Sequence, residues 1–340
     1  MRSWMKTALT GACLAAACWA AAGGAMAAPA YSVVDKIPGP DGGWDYVRVD
    51  GANNRVLVAH GASVMTIDLA TKAVTGGLTP GARLHIAMPL NGGSEYLVTD
   101  GGTDSAIFAD GKTGVAKATI HTGASPDGAV FDARSGLVLV LDHKGGDVVL
   151  INAKSHAKVG SIEVGGDLEE GAVDGAGRAF VNVENKNEIA VLDIAGRKVV
   201  TRYALAGCDG PTGLAYDTQD KLLIAACDGA TLLVRAKDGK IVKTLATGKG
   251  ADGVAFDATR RLAFVPAGRD GTMSIIGLAH GTGSVVGTTP TARGARTIAL
   301  DARTGRLYLP AADYVFPAGG GRPTMTPGTF QVLVVAPAGG

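Results

Sequence analysis

Seven side chains recur at one place in a repeated pattern, and all but one of them are ionisable: Asp45, His85, Asp127, Glu169, Thr212, Asp252 and Arg296. Each stands second in a seven-residue stretch, plain in Pro126 to Asp132 (PDGAVFD) and in Pro211 to Asp217 (PTGLAYD). If the copies converge, four acids, one Arg and one His concentrate a formal charge of about −3 in a chain whose formal net charge is +1. Several carboxylate oxygens suit a hard cation, and an imidazole beside them extends the choice to a transition metal. Asp45, Asp127, Glu169 and Asp252 are therefore the candidate metal ligands, with Ca²⁺ or Zn²⁺ as the cofactor. A polyhydroxylated or amine-bearing small ligand would suit the same ring. So would a plainer role, since polar groups also line water-filled channels and cap neighbouring loops.

A second tier stands further along each repeat: His60, Asp100, Asp142 with His143, Glu184 with Asn185, Asp228 and Asp313. His60 and His143 join the ring as candidate ligand-binding residues, because with His85 they fall on three successive repeats. No short-range ligand spacing marks them as a metal motif, and capping a loop is the competing role. Cys208 and Cys227 lie in one repeat, and in an oxidising compartment they are expected to form a disulfide. The chain carries no C-x-x-C-H, G-x-S-x-G or H-E-x-x-H motif. Gly248 to Gly253 matches G-x-G-x-x-G but joins two strands, with no helix to present its N-terminus to a phosphate.

What must position these residues is the repeat itself. The seven stretches end at Asp50, Leu90, Asp132, Asp174, Asp217, Asp257 and Asp301, 40 to 44 residues apart. Each is followed by strand-length apolar segments split by Gly, Asp and Asn turns, as in Lys221 to Ala226, Thr231 to Val234 and Ile241 to Leu245. Four strands in each of seven repeats predict an all-β chain, a seven-bladed β-propeller. The seven-residue stretches become the innermost strands, where crowding around an axis explains Gly-Ala-Val and Gly-Leu-Ala. The terminal Asp residues precede turns such as Asp132-Ala133-Arg134-Ser135-Gly136, where a carboxylate accepts backbone N–H groups, so they are assigned to structure. The last repeat is one strand short and Tyr31 to Ile37 has no blade of its own. The N-terminal strand is therefore expected to complete the seventh blade and leave no open edge. Phe316 to Gly328 (FPAGGGRPTMTPG) breaks the rhythm as a Pro/Gly-rich insertion, either a lid or a mobile loop.

The signatures PDGAVFD, CDGPTGLAYD, ADGVAFD, GARTIALDARTGRLYLP and PGTFQVLVV, with HGASVMTIDLATKAV, resemble the bacterial secreted YncE-like propellers built of YVTN-type repeats. The likeness runs over residues 28–340 and implies the propeller fold, with no accepted reaction to transfer. The chain departs from that pattern at Asp167-Leu168-Glu169-Glu170, where a proline more often precedes the acid and an apolar residue follows it.

Arg2, Lys6, an apolar run from Ala8 to about Ala22 and Ala25-Met26-Ala27 read as a signal peptide over 1–27, leaving one domain over 28–340. A periplasmic or secreted location follows, with no membrane insertion after cleavage. Lys and Arg number 32 against 31 Asp and Glu, a balance that recruits neither nucleic acid nor an anionic membrane. The expectation is a monomer that binds a small polar ligand, a cation or a protein partner at an acidic channel mouth without catalysis. Two alternatives stand beside it. One is a metal-assisted hydrolase resembling the propeller lactonases, with His85 handling the proton; the other is a scaffold for protein interaction.

Overall fold

The computed structural model describes Met1, residues 30–315 and residues 323–338. The signal peptide expected over 1–27 lies, beyond Met1, outside these described residues. Among them, no helix is long and apolar enough to cross a membrane.

Seven four-stranded antiparallel sheets stand around a common axis. The inner strands are Val47–Asp50, Leu84–Leu90, Pro126–Asp132, Leu168–Val173, Gly213–Asp217, Ala255–Asp257 and Ala299–Asp301. Six blades run outward in chain order, from inner to outer strand. The seventh does not: Ala299–Asp301, Arg306–Ala311 and Gln331–Pro337 come from the C-terminal end, and Tyr31–Pro38 adds the outermost strand. Tyr31 pairs with Pro337 and Pro38 with Gln331, so the two ends of the chain close the ring as the short last repeat requires. Thr289 of blade six donates to the Tyr31 carbonyl at 2.9 Å, fixing this strand to its neighbour as well.

Blades adhere through apolar faces. Seven buried clusters each span one blade-to-blade boundary, from Leu57, Ala59 and Tyr96 between blades one and two to Trp44, Phe330 and Val332 between seven and one. A blade exposes two apolar faces and can bury both only when the ring is complete, at roughly 1.5–3 kcal/mol for each large side chain.

The terminal Asp residues do what the turns demand. Asp132 accepts the Ser135 N–H, Asp257 accepts those of Thr259 and Arg260, and Asp301 accepts that of Arg303. Asp217 goes further, accepting both terminal nitrogens of Arg261 from the next blade as well as the Gln219 N–H. Those bonds, set against burial, hold its carboxyl below the usual range.

The Pro/Gly-rich insertion has defined structure in its described residues. Residues 316–322 lie outside the described residues, but Tyr314–Val315 pairs with Thr324–Met325 in a small ribbon, and the Gly328 N–H is held by Asp41 at 2.6 Å. Its described part is thus anchored at both ends rather than structureless.

Cys208 and Cys227 are joined in a disulfide with Cα atoms 5.4 Å apart, closing a separation of 19 residues within blade five. Replacing both by serine should lower the unfolding free energy by about 3 kcal/mol, the loop-closure entropy returned to the unfolded chain. Urea denaturation reads this, and an unshifted midpoint would show that the bridge contributes nothing.

Candidate functional site

The seven second-position residues do meet at one end of the axis, and backbone hydrogen bonds between blades put them there. The Tyr46 N–H donates to the His85 carbonyl, that of Glu170 to Thr212, and that of Asp252 to Arg296, each linking a blade to the next. Threonine hydroxyls repeat the device: Thr99 donates to the Asp127 carbonyl at 2.6 Å, Thr212 to Ala251 at 2.8 Å and Thr297 to Asp45 at 2.9 Å. The Thr212 hydroxyl is consumed in this way and belongs to the frame of the mouth.

On blades one to three a single imidazole organises the acids. His85 Nδ1 lies 2.6 Å from Asp45 Oδ2 and 3.0 Å from Asp127 Oδ1. Burial alone would pull the imidazole pKa down, but pairing with Asp127 and Asp45 outweighs it and raises the value to about 10. His85 is therefore a cation wedged between two carboxylates. Burial pushes the Asp45 carboxyl up, and the His85 hydrogen bond offsets only part of that.

Blade four continues the series. Glu169 Oε1 lies 3.0 Å from His143 Nδ1, which also faces the Leu168 carbonyl at 3.1 Å. Burial raises the Glu169 carboxyl to about 7, and pairing with Glu169 raises the His143 imidazole. Blades six and seven close the circle with Arg296, whose Nε donates to Asp252 at 2.7 Å and whose Nη2 donates to the Trp44 carbonyl at 3.0 Å. Burial pushes the Asp252 carboxyl well up against the pull of Arg296.

The four candidate metal carboxylates consequently divide. Asp45, His85 and Asp127 offer ligand atoms within 4.8 Å of one another, and so do Asp127, His143 and Glu169, with Asp127 common to both sets. Asp252 is committed to Arg296 and joins neither. A third set, His143, Asp167 and Glu184, lies at the rim. His60 is not brought to the ring: it packs edge-on against Phe330 with centroids 4.7 Å apart, beneath Gly42, and burial lowers its pKa. The three histidines on successive blades therefore do not form a common site.

Three residues of the site escaped the reading of second positions. Tyr46 is 3% exposed, its hydroxyl has no hydrogen-bond partner, and burial together with the fields of Asp127, Glu170, Glu169 and Asp252 pushes its pKa far up. Below it, Arg48 of blade one reaches Glu170 of blade four at 2.9 Å, crossing the axis between strands 122 residues apart. Glu170 also accepts the Leu214 N–H at 3.1 Å. A register shift between Leu168 and Gly171 makes consecutive residues Glu169 and Glu170 available to the channel, as a bulge does. The same shift at Leu84/Ala87 and Pro126/Ala129 shows that the unusual Asp167-Leu168-Glu169-Glu170 segment keeps the shape of its neighbours.

No family model matches the chain, and no curated protein matches it in sequence. Among solved structures it is similar to a chain of the Kuenenia stuttgartiensis hydrazine synthase, with a TM-score of 0.69 at 15% identity over 80% of this chain and 92% of that one. It is also similar to a chain of a mitotic checkpoint complex, with a TM-score of 0.70 at 13% identity over 82% and 91%. Likeness at this identity establishes the propeller fold alone.

Replacing Arg48 by Met should strand the buried Glu170 carboxylate and destabilise the protein by about 3 kcal/mol, with most of the loss recovered in Arg48→Met/Glu170→Gln. Denaturation of the two single variants and the double variant measures this, and simple additivity would show that the pair is uncoupled.

Proposed function

We propose that this protein is a binding protein that holds a divalent cation at the mouth of its axial channel. The observation that carries the reading is the pair of adjoining donor sets, Asp45, His85, Asp127 and Asp127, His143, Glu169, which share one carboxylate. Two imidazoles among three carboxylates favour Zn²⁺ or a similar transition ion over Ca²⁺, which prefers an all-oxygen shell. The Tyr46 hydroxyl, buried and without a hydrogen bond in the field of these acids, supplies a further unused oxygen at the same place.

The way the histidines are held supports binding over turnover by a side-chain nucleophile. His85 is occupied by two carboxylates and His143 by a carboxylate and a carbonyl, so neither is set against a hydroxyl or thiol nucleophile. The disulfide supports an oxidising compartment, and the repeat signatures, which resemble the YncE-like secreted propellers, support the same location.

Equilibrium dialysis against Zn²⁺, Mn²⁺ and Ca²⁺ with elemental analysis tests the reading. The native protein should retain Zn²⁺ most tightly, and Asp127→Ala should weaken retention by at least about tenfold because both donor sets lose the shared carboxylate. Equal retention by the two proteins would overturn it, and lactone turnover by the metal-loaded protein would replace it with the hydrolase reading.

The pH dependence has a defined sign. A metal must displace the proton held by His85, and below about 7 that of Glu169 too. Affinity should therefore climb with pH from about 6 to 8, by about tenfold per unit for each proton displaced. A flat or falling profile in the same dialysis would exclude these groups as ligands.

A further inference from the structure

Beside the acidic mouth, and chemically opposed to it, lies a cavity of about 560 Å³ between blades six and seven. Three arginines, Arg269, Arg293 and Arg296, line it against one acid, Asp252. The rest is apolar or lacks a side chain: the Tyr314 ring, Ala251, Pro323, and the glycines 250, 268 and 294. Gly250 and Gly294 have positive φ, 77° and 85°, so side chains are disfavoured there on backbone grounds. A Cβ on Gly268 would stand 2.9 Å from the Arg296 Cβ, and one on Gly294 would stand 3.3 Å from the Tyr314 ring. The glycines thus keep the pocket open against its own basic and aromatic walls.

The arginines are not equivalent. Arg296 is spent on Asp252 and the Trp44 carbonyl and lies over the Trp44 ring, 5.8 Å from its centroid, so it forms the fixed inner wall toward the ring of acids. Arg269 has one ion-pair contact, to Asp228 at 3.2 Å, and its side chain is 68% exposed. Asp228 is itself engaged by the Gly250 N–H at 2.8 Å. An anion entering the cavity can therefore take the Arg269 fork while Asp228 keeps its backbone donor. Guanidinium is the group suited to grip a carboxylate or phosphate through two parallel N–H bonds, and an aromatic face beside it suits a flat apolar body.

We propose that this cavity is a second binding site, selective for a small organic anion with an aromatic or similarly flat apolar body, gripped at its carboxylate or phosphate by Arg269 and packed against Tyr314. The inference goes beyond the cation reading and uses different residues. The test is accordingly run on metal-free protein, so that loss of either reading leaves the other standing.

Isothermal titration calorimetry with benzoate, phenyl phosphate and the neutral benzyl alcohol provides that test. Saturable binding of an anion but not of the alcohol, weakened about tenfold in Arg269→Ala, is the expected result. The relative affinities of the two anions tell whether a carboxylate or a phosphate is preferred. Arg269→Lys, which keeps the charge but loses the fork, should fall in between, and Tyr314→Leu should weaken the binding of benzoate. Because Arg269 is exposed, its variants should unfold at the native temperature, which circular dichroism checks. Absence of saturable binding by either anion, equal binding of the alcohol, or an Arg269→Ala variant with native affinity would overturn the proposal.

Discussion

Hydrogen bonds that tie one inner strand to a neighbour, at the place where the strands begin, are the constraint on which the channel mouth depends. Bonds such as Tyr46 to His85 and Asp252 to Arg296 fix the second positions of successive repeats against one another. Residues some forty positions apart in the chain are thereby forced into contact distance. Apolar packing between the blades stabilises the ring without specifying its inner rim. The backbone ties and the threonine hydroxyls that reinforce them set which side chains face one another.

Convergence of carboxylates costs free energy unless cations are interleaved, and here they are of two kinds, imidazole and guanidinium. His85 is a proton-carrying wedge between Asp45 and Asp127, Arg296 is a permanent charge against Asp252, and Arg48 is a permanent charge against Glu170. Only the first kind can be exchanged for a metal, because a guanidinium neither gives up its proton nor vacates its place. The difference separates the imidazole-held carboxylates, Asp45, Asp127 and Glu169, from the guanidinium-held ones, Asp252 and Glu170.

Much of this was legible in the chain before any coordinates. The spacing of the terminal Asp residues carried the blade number, and the orphan strand at Tyr31 carried the closure. The second positions named the mouth because one geometric rule applied to every copy. The pairing within the mouth was not legible, since Asp252 faces Arg296 rather than Glu169 through side-chain geometry that spacing does not encode. His60 misled because the ends of second strands do not all turn toward the axis, and Phe330, distant in sequence, covers this one. Tyr46, Glu170 and Arg48 did leave a signal. At the third position the other copies carry Ile, Gly or Thr, and at the fifth Met, Val or Ala, so a phenol, a carboxylate and a guanidinium stand out there.

The strut from Arg48 to Glu170 joins blades that face each other across the disc. It lies two residues further along the inner strand than Tyr46, so anything descending from the acidic rim meets it before reaching the opposite surface. The disc is thus braced from side to side beneath its ring of acids. An ion held at the mouth, as proposed above, would sit on the near side of that brace, with the permanent charge of Arg48 beneath it.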